Sequence, residues 1–184
     1  MPDDTFVVFV DLLPTKAGTG FIGAALVTDF HGVPVEFRCT HPVKPTDIQR
    51  QLYGSTLEKY IGVELCGKPL LKSLENRAKL AFVKSELLLG VRDANSPPLL
   101  FLRRAGEVLR IESPGPSATT EMKVDPRNAS FQSVVVRVSS DFPDDLHDAK
   151  DLVEEILENV DAVEPFERIA KAIEALSKQD TRFQ

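Results

Sequence analysis

Residues 20–60, GFIGAALVTDFHGVPVEFRCTHPVKPTDIQRQLYGSTLEKY, write two strands, their turn, a proline-bounded loop and a capped helix in one unbroken run. Apolar residues run Phe21, Ile22, Ala24 and Leu26, pause at Asp29-Phe30-His31-Gly32, and resume at Val33, Val35, Phe37 and Cys39 with Pro34, Glu36 and Arg38 between them. The second run alternates as a half-buried strand does. Gly32 can supply the positive φ of a tight connection, and Asp29 can hydrogen-bond forward into the turn. Gly20 and Gly23 leave the first strand bare at two points, which predicts a bulge or a close backbone neighbour. Past His41-Pro42-Val43-Lys44-Pro45 the chain cannot continue a ladder, and Thr46 is a good N-cap with Asp47 in the first turn. Ile48, Leu52, Tyr53, Leu57, Tyr60 and Ile61 then hold one helical face toward a core, and Gly62 is expected to end the helix.

Working outward, Phe6–Leu12 is a near-continuous apolar run interrupted by Asp11, the pattern of a central strand buried on both faces. Lys68–Leu74 reads as a second short helix with Pro69 in its first turn. Leu80–Val83, Ser85–Gly90 and Leu99–Leu102 read as strand, short helix and strand, a crossover that implies parallel neighbours. Val108–Ile111 reads as an edge strand. The segment 113–130, SPGPSATTEMKVDPRNAS, is poor in apolar residues and carries prolines at 114, 116 and 126, so it is expected to be a flexible loop. Val134–Val138 is β-branched and must be a strand. Two amphipathic helices follow, with stripes at Leu146, Ala149, Val153, Ile156 and Val160, then at Phe166, Ile169, Ile173 and Leu176. The expected division is an α/β sheet core over 1–112, the loop over 113–130, and a C-terminal strand and helical pair over 131–184 packed on the same domain.

With 184 residues, 42% of them hydrophobic, the chain can bury a real core. Its formal charge of −6 argues against an extended nucleic-acid surface, which clustered Lys and Arg would supply. The opening MPDDTFVVFV lacks a basic signal-peptide region, and no run reaches the ~20 apolar residues of a membrane span, so a cytoplasmic location is expected. Cys39 and Cys66 read as buried free thiols. His31, His41 and His147 stand in separate loops and turns and form no ligand set. Gly18-Thr19-Gly20 lacks the lysine of a phosphate loop and reads as a turn.

Three antiparallel strands followed by two parallel strands reached through helices is an order that resembles the ribonuclease H-like superfamily, over about residues 6 to 103. The runs EFRCTHPVKPTDIQRQLYG and LEKYIGVELCGKPLL are similar, in addition, to a bacterial protein family with no assigned role. The first resemblance implies four acids around two divalent ions: one on the first strand, one on the first long helix, one after the fourth strand and one on a C-terminal helix. Asp11 matches the first position. Glu58 could match the second, with Glu64 as the weaker option. The third is occupied by Lys84, which is no metal ligand, although Glu86 follows two residues later. Asp144, Asp145 and Asp148 all offer themselves for the fourth.

Two functions are therefore expected in order. The main reading is a protein-binding or assembly module without catalysis or cofactor, whose partner is another protein or a second copy. It would dock through Arg50 and Tyr53 beside the proline loop and through a residual stripe of Phe166, Ile169 and Ile173. The alternative is a Mg²⁺-dependent nuclease of ribonuclease H-like type built on Asp11, Glu58, Glu86 and Asp148, or a catalytically decayed relative of one.

Overall fold

The structure, a computed structural model, describes residues 5–107, 120–127 and 130–184. Strands β1 (Phe6–Pro14), β2 (Phe21–Asp29), β3 (Pro34–Cys39), β4 (Ala78–Val83), β5 (Leu99–Arg104), β6 (Glu121–Val124) and β7 (Val134–Arg137) form one sheet in the order β3-β2-β1-β4-β5-β7-β6. β1, β2 and β3 pair antiparallel, while β4 joins β1 and β5 joins β4 in parallel. This is the mixed α/β arrangement of ribonuclease H-like folds. β7 then returns antiparallel to β5 and carries β6 on its outer edge.

The β2–β3 turn forms as the sequence predicts. The Asp29 carboxylate accepts hydrogen bonds from the backbone N–H groups of His31 and Val33, both at 2.9 Å, and Gly32 sits at φ +79°. Gly20 is bare because Val43 pairs across from Phe21, leaving its carbonyl where a Cβ would project. On the edge strand, Glu36 reaches across to the approach to β4, accepting from the backbone N–H groups of Glu75 and Asn76, the Asn76 amide and Arg38. Burial pushes this carboxyl up, but the bonds from Asn76, Arg38 and the two backbone groups prevail and bring it down to about 2.

Helices α1 (Asp47–Tyr53), α2 (Leu57–Tyr60) and α3 (Lys68–Ser73) belong to one helical run over 47–73, linked by a 3-10 turn at Gly54–Thr56 and a π-helical segment at Ile61–Gly67. Thr46 and Gln49 form a reciprocal capping box at its start. Gly62 does not end the helix. A Cβ there would lie 2.7 Å from the Leu87 side chain and 3.0 Å from Leu12, so the glycine serves close packing inside a continuing helix rather than a stop.

Because side chains alternate along β1, the strand feeds two cores. Val8 and Val10 pack with Val63, Leu70 and Leu88 beneath the 47–73 run. Val7 and Phe9 pack with Leu146 of α4 (Asp145–Asp148), Val153 of α5 (Lys150–Asn159) and Phe166 and Ile169 of α6 (Glu164–Gln179) in the core on the other face. Phe166 meets Phe9 edge-on, with ring centroids 5.5 Å apart. Cys39 and Cys66 are free thiols, and burial raises the pKa of each.

Two further expectations change. Within the 113–130 segment, Glu121–Val124 is strand β6 rather than loop, because Val124 buries in the core and Met122 packs against it, while Glu121 pairs with Arg137. The edge strand expected at Val108–Ile111 lies outside the described residues.

Candidate functional site

The C-terminal ends of the parallel strands β1 and β4 bring Asp11 and Lys84 to the same face of the sheet. Asp11 follows Phe9 in alternation and Lys84 follows Phe82, and both phenylalanines belong to the core under α6. The Lys84 backbone N–H donates to the Val10 carbonyl, and its ammonium lies 5.9 Å from the centre of the Phe166 ring. Burial raises the Asp11 carboxyl to about 6, against the opposing pull of the Leu12 N–H bonded to it at 2.8 Å and of the Lys84 charge. Among the described residues no direct ion pair relieves this carboxylate. The ensemble is a half-buried acid facing a cation over an aromatic ring.

The other acids expected to join it do not. Glu58 rides on α2, whose neighbours Leu57 and Ile61 pack with Leu12; alternation puts Leu12 on the opposite face from Asp11, so the sheet itself separates the two carboxylates. Glu64, on the same layer, pairs with Lys68 at 2.6 Å. Glu86 is held by Arg137 at 2.7 Å, and Arg137 also binds Glu121. Asp148 stands at the end of α4, near the start of β4 and thus at the opposite end of the strands from Asp11. Asp145 is buried, accepts from Arg92 in bidentate fashion at 2.7 and 2.8 Å, and also accepts from the Leu99 N–H. No group of three or more His, Cys, Asp or Glu among the described residues is placed to hold a metal ion. Two divalent ions need several carboxylates to offset their charge, and an ammonium beside the single acid opposes them. The donor set thus does not fit a two-metal centre.

The expected docking residues divide. Phe166, Ile169 and Ile173 are only 3%, 0% and 5% exposed and form the core against β1, so the α6 stripe offers no free surface. Arg50 and Tyr53 do reach the surface. The Arg50 guanidinium donates to the Thr19 carbonyl at 2.6 Å, and the Tyr53 ring lies against Tyr60 with centroids 4.9 Å apart. Gly54, which follows Tyr53, does not make room for a neighbouring backbone: nothing approaches it within 4 Å, and it is glycine because φ is +52°.

A feature that the overall charge conceals is how unevenly charge is divided along the chain. Residues 44–84, which span the 47–73 helical run and strand β4, carry eight Lys and Arg against four Asp and Glu; the run itself carries four against three, and Lys84 faces the other layer. Residues 141–184, which form the other layer, carry five against thirteen. Counting by segment would have found this signal in the sequence; the total of −6 averages it away.

No protein-family model and no curated protein matches the chain. Solved structures similar to it include Ciona intestinalis Endonuclease V in complex with a 24mer DNA containing an inosine followed by a ribo-adenosine. That chain is 13% identical with a TM-score of 0.49, over 98% of this chain and 89% of that one. A second complex of the same enzyme, with a 23mer, is 12% identical with a TM-score of 0.43, over 84% of this chain and 78% of that one. Marinitoga piezophila Argonaute in complex with 5′ OH guide RNA is 12% identical with a TM-score of 0.38, over 83% of this chain but only 25% of that one. These likenesses concern the fold. Two expectations stand corrected beside them: the assembly module loses its α6 docking stripe to the core, and the exclusion of nucleic acid meets neighbours that are themselves described in complex with DNA or RNA. A total charge of −6 does not by itself decide such a question, since phosphate contacts answer to local rather than net charge. No helix among the described residues is long and apolar enough to cross a membrane.

Proposed function

We propose that the chain is a nucleic-acid-binding protein of ribonuclease H-like fold, a relative of divalent-metal nucleases whose carboxylate set has decayed. The observation that carries the binding half is the cationic segment 44–84, eight Lys and Arg against four Asp and Glu, set against the acidic layer over 141–184. Such a segment attracts phosphates by counterion release without regard to sequence, while the acidic layer repels them and so orients the molecule. Lys84 opposite Asp11 supports the decayed half, because the position that would need an acid supplies a cation. We place the protein in the cytosol and keep its likeness to a bacterial family as part of the same reading.

The test is fluorescence anisotropy with labelled single- and double-stranded oligonucleotides at about 50 and about 200 mM salt, where a protein making several phosphate contacts should weaken by at least about tenfold. Charge reversal of the exposed pair Lys44→Glu and Lys59→Glu should weaken binding further. Reversal of Lys171→Glu and Lys178→Glu on α6 should not. Absence of binding, or an equal response from both layers, would refute the reading. Cleavage dependent on Mg²⁺ or Mn²⁺ and abolished by Asp11→Asn would show that the site is a working metal nuclease instead.

A further inference from the structure

At the end of the strands remote from Asp11 and Lys84, a cavity of about 920 Å³ opens between the C-terminal turn of α3, the approach to β4 and the Asp93–Pro98 loop, with α4 and α5 closing its far side. Its walls divide chemically. Leu71, Leu74, Val91 and Leu152 give an apolar floor, whereas Lys68, Lys72, Arg77 and Lys79 bring four cations to the rim.

What matters is how many of these charges are already answered. Lys68 is paired with Glu64 at 2.6 Å. Lys79 meets a neutral partner among the described residues, the Thr5 hydroxyl, at 3.2 Å. Among the described residues, Lys72 and Arg77 make no ion pair at all, and both are exposed. The nearby Glu75 is not available to them, since it is taken by Arg38 at 2.7 Å. Two acids also line the cavity. Asp93 accepts from the backbone N–H groups of Asn95 and Ser96 in its own turn, and Arg92, near both Asp93 and Asp148, is taken by Asp145. Among the described residues, Lys72, Arg77 and Lys79 thus face the cavity without an ion pair and outnumber its two carboxylates.

We propose that this cavity binds a phosphate-bearing ligand of nucleotide size, with the phosphate at Lys72, Arg77 and Lys79 and an apolar, flat body on the leucine floor. A phosphomonoester carries nearly two negative charges near neutral pH, which suits these three cations better than the single charge of a carboxylate. The volume lies in the range of small-molecule sites, too large for an inorganic ion alone, so a body must accompany the phosphate. The Asn95 amide, on the rim, can hydrogen-bond the edge of a base. The same chemistry could come from a free nucleotide or from the phosphorylated end of a nucleic-acid strand. The four rim cations are among the eight counted over 44–84, and the two readings are told apart by their tests, which alter Lys44 and Lys59 in one and Lys72 and Arg77 in the other.

Titration calorimetry with AMP, GMP, CMP and UMP tests it, each beside its nucleoside. At least one monophosphate should bind at least about tenfold more tightly than its nucleoside, and the double variant Lys72→Glu/Arg77→Glu should lose at least about tenfold of that affinity, as expected for lost charge-assisted hydrogen bonds. Circular dichroism and an unchanged melting temperature would certify the fold of the variant; should it not fold, the milder Lys72→Gln and Arg77→Gln, made singly, take its place. A phosphorylated oligonucleotide that displaces the nucleotide as well as the nucleotide displaces itself assigns the phosphate to a strand end, and failure to displace assigns a free nucleotide. The proposal is overturned if no monophosphate binds below about 1 mM, if nucleosides bind equally well, or if charge removal at Lys72 and Arg77 leaves affinity unchanged.

Discussion

Replacing Asp11 by asparagine should stabilise the protein at alkaline pH and leave it nearly unchanged at acid pH. The Asp11 carboxyl takes up its proton near pH 6 in the folded chain, against a reference value of 3.8. The folded state thus binds the proton more tightly than the unfolded state. The stability this contributes is complete below the unfolded value and lost as pH rises through 6, beyond which the native state holds an ionised carboxylate in a half-buried place. A shift of this size corresponds to about 2–3 kcal/mol between the two ends of the window. Asparagine is close in size, never ionises and still offers an oxygen to the Leu12 N–H. Urea denaturation of both proteins at pH 4 and pH 8 measures the effect: the stability difference should change by about 2 kcal/mol in favour of the variant between the two pH values. An equal difference at both, or a variant weaker at pH 8, would refute the reasoning and mean that the ionised form is supported by contacts beyond those described.

Gly62→Ala should destabilise by about 1–3 kcal/mol, since the new methyl meets Leu87 and Leu12 at the tightest point between the helical run and β1; chemical denaturation that shows no loss would mean that the helix can shift freely. Glu36→Gln should remove part of the protein's acid sensitivity. Its carboxyl is held down at about 2, so the stability it contributes is present above its reference value of 4.5 and disappears as pH falls through 2. Acid titration followed by circular dichroism should show a flatter low-pH limb in the variant than in the parent, and coincident limbs would exclude Glu36 as an acid-labile tie.

Local features were readable in the chain, and so was the pairing order of β1 to β5, whereas contacts between particular remote side chains were not. The turn at Asp29–Gly32 and the capping box at Thr46 are each closed by hydrogen bonds spanning four residues or fewer, so the residues that form them stand side by side in the sequence. Gly62 misleads because its constraint comes from Leu12 and Leu87, which are remote in sequence. Strand β6 escaped because its partner β7 lies some ten residues on, and four residues with two charges among them show no strand pattern alone. The acids suffered the same way. Asp11 and Glu58 sit on plausible elements, yet whether they meet depends on which face of β1 the helix covers, and Leu12 settles that against them. The stripe Phe166, Ile169 and Ile173 was visible as a stripe, but its periodicity could not say whether it faced the core of this chain or another surface.

The place of β1 in the sheet has a consequence for the order in which the protein can be made. Its antiparallel partner β2 begins seven residues after β1 ends, while its parallel partner β4 begins at Ala78. During synthesis the meander β1–β2–β3 is therefore complete about forty residues before the strand that seals its other side has left the ribosome, an interval of several seconds at about 5–20 residues per second. Through that interval one backbone edge of Phe6–Val10 stands open, with valines on both faces, as a template for any neighbouring nascent chain. Pulsed hydrogen exchange during refolding should accordingly protect the β1 amides that point to β2 before those that point to β4, and simultaneous protection would show that the sheet closes in one step.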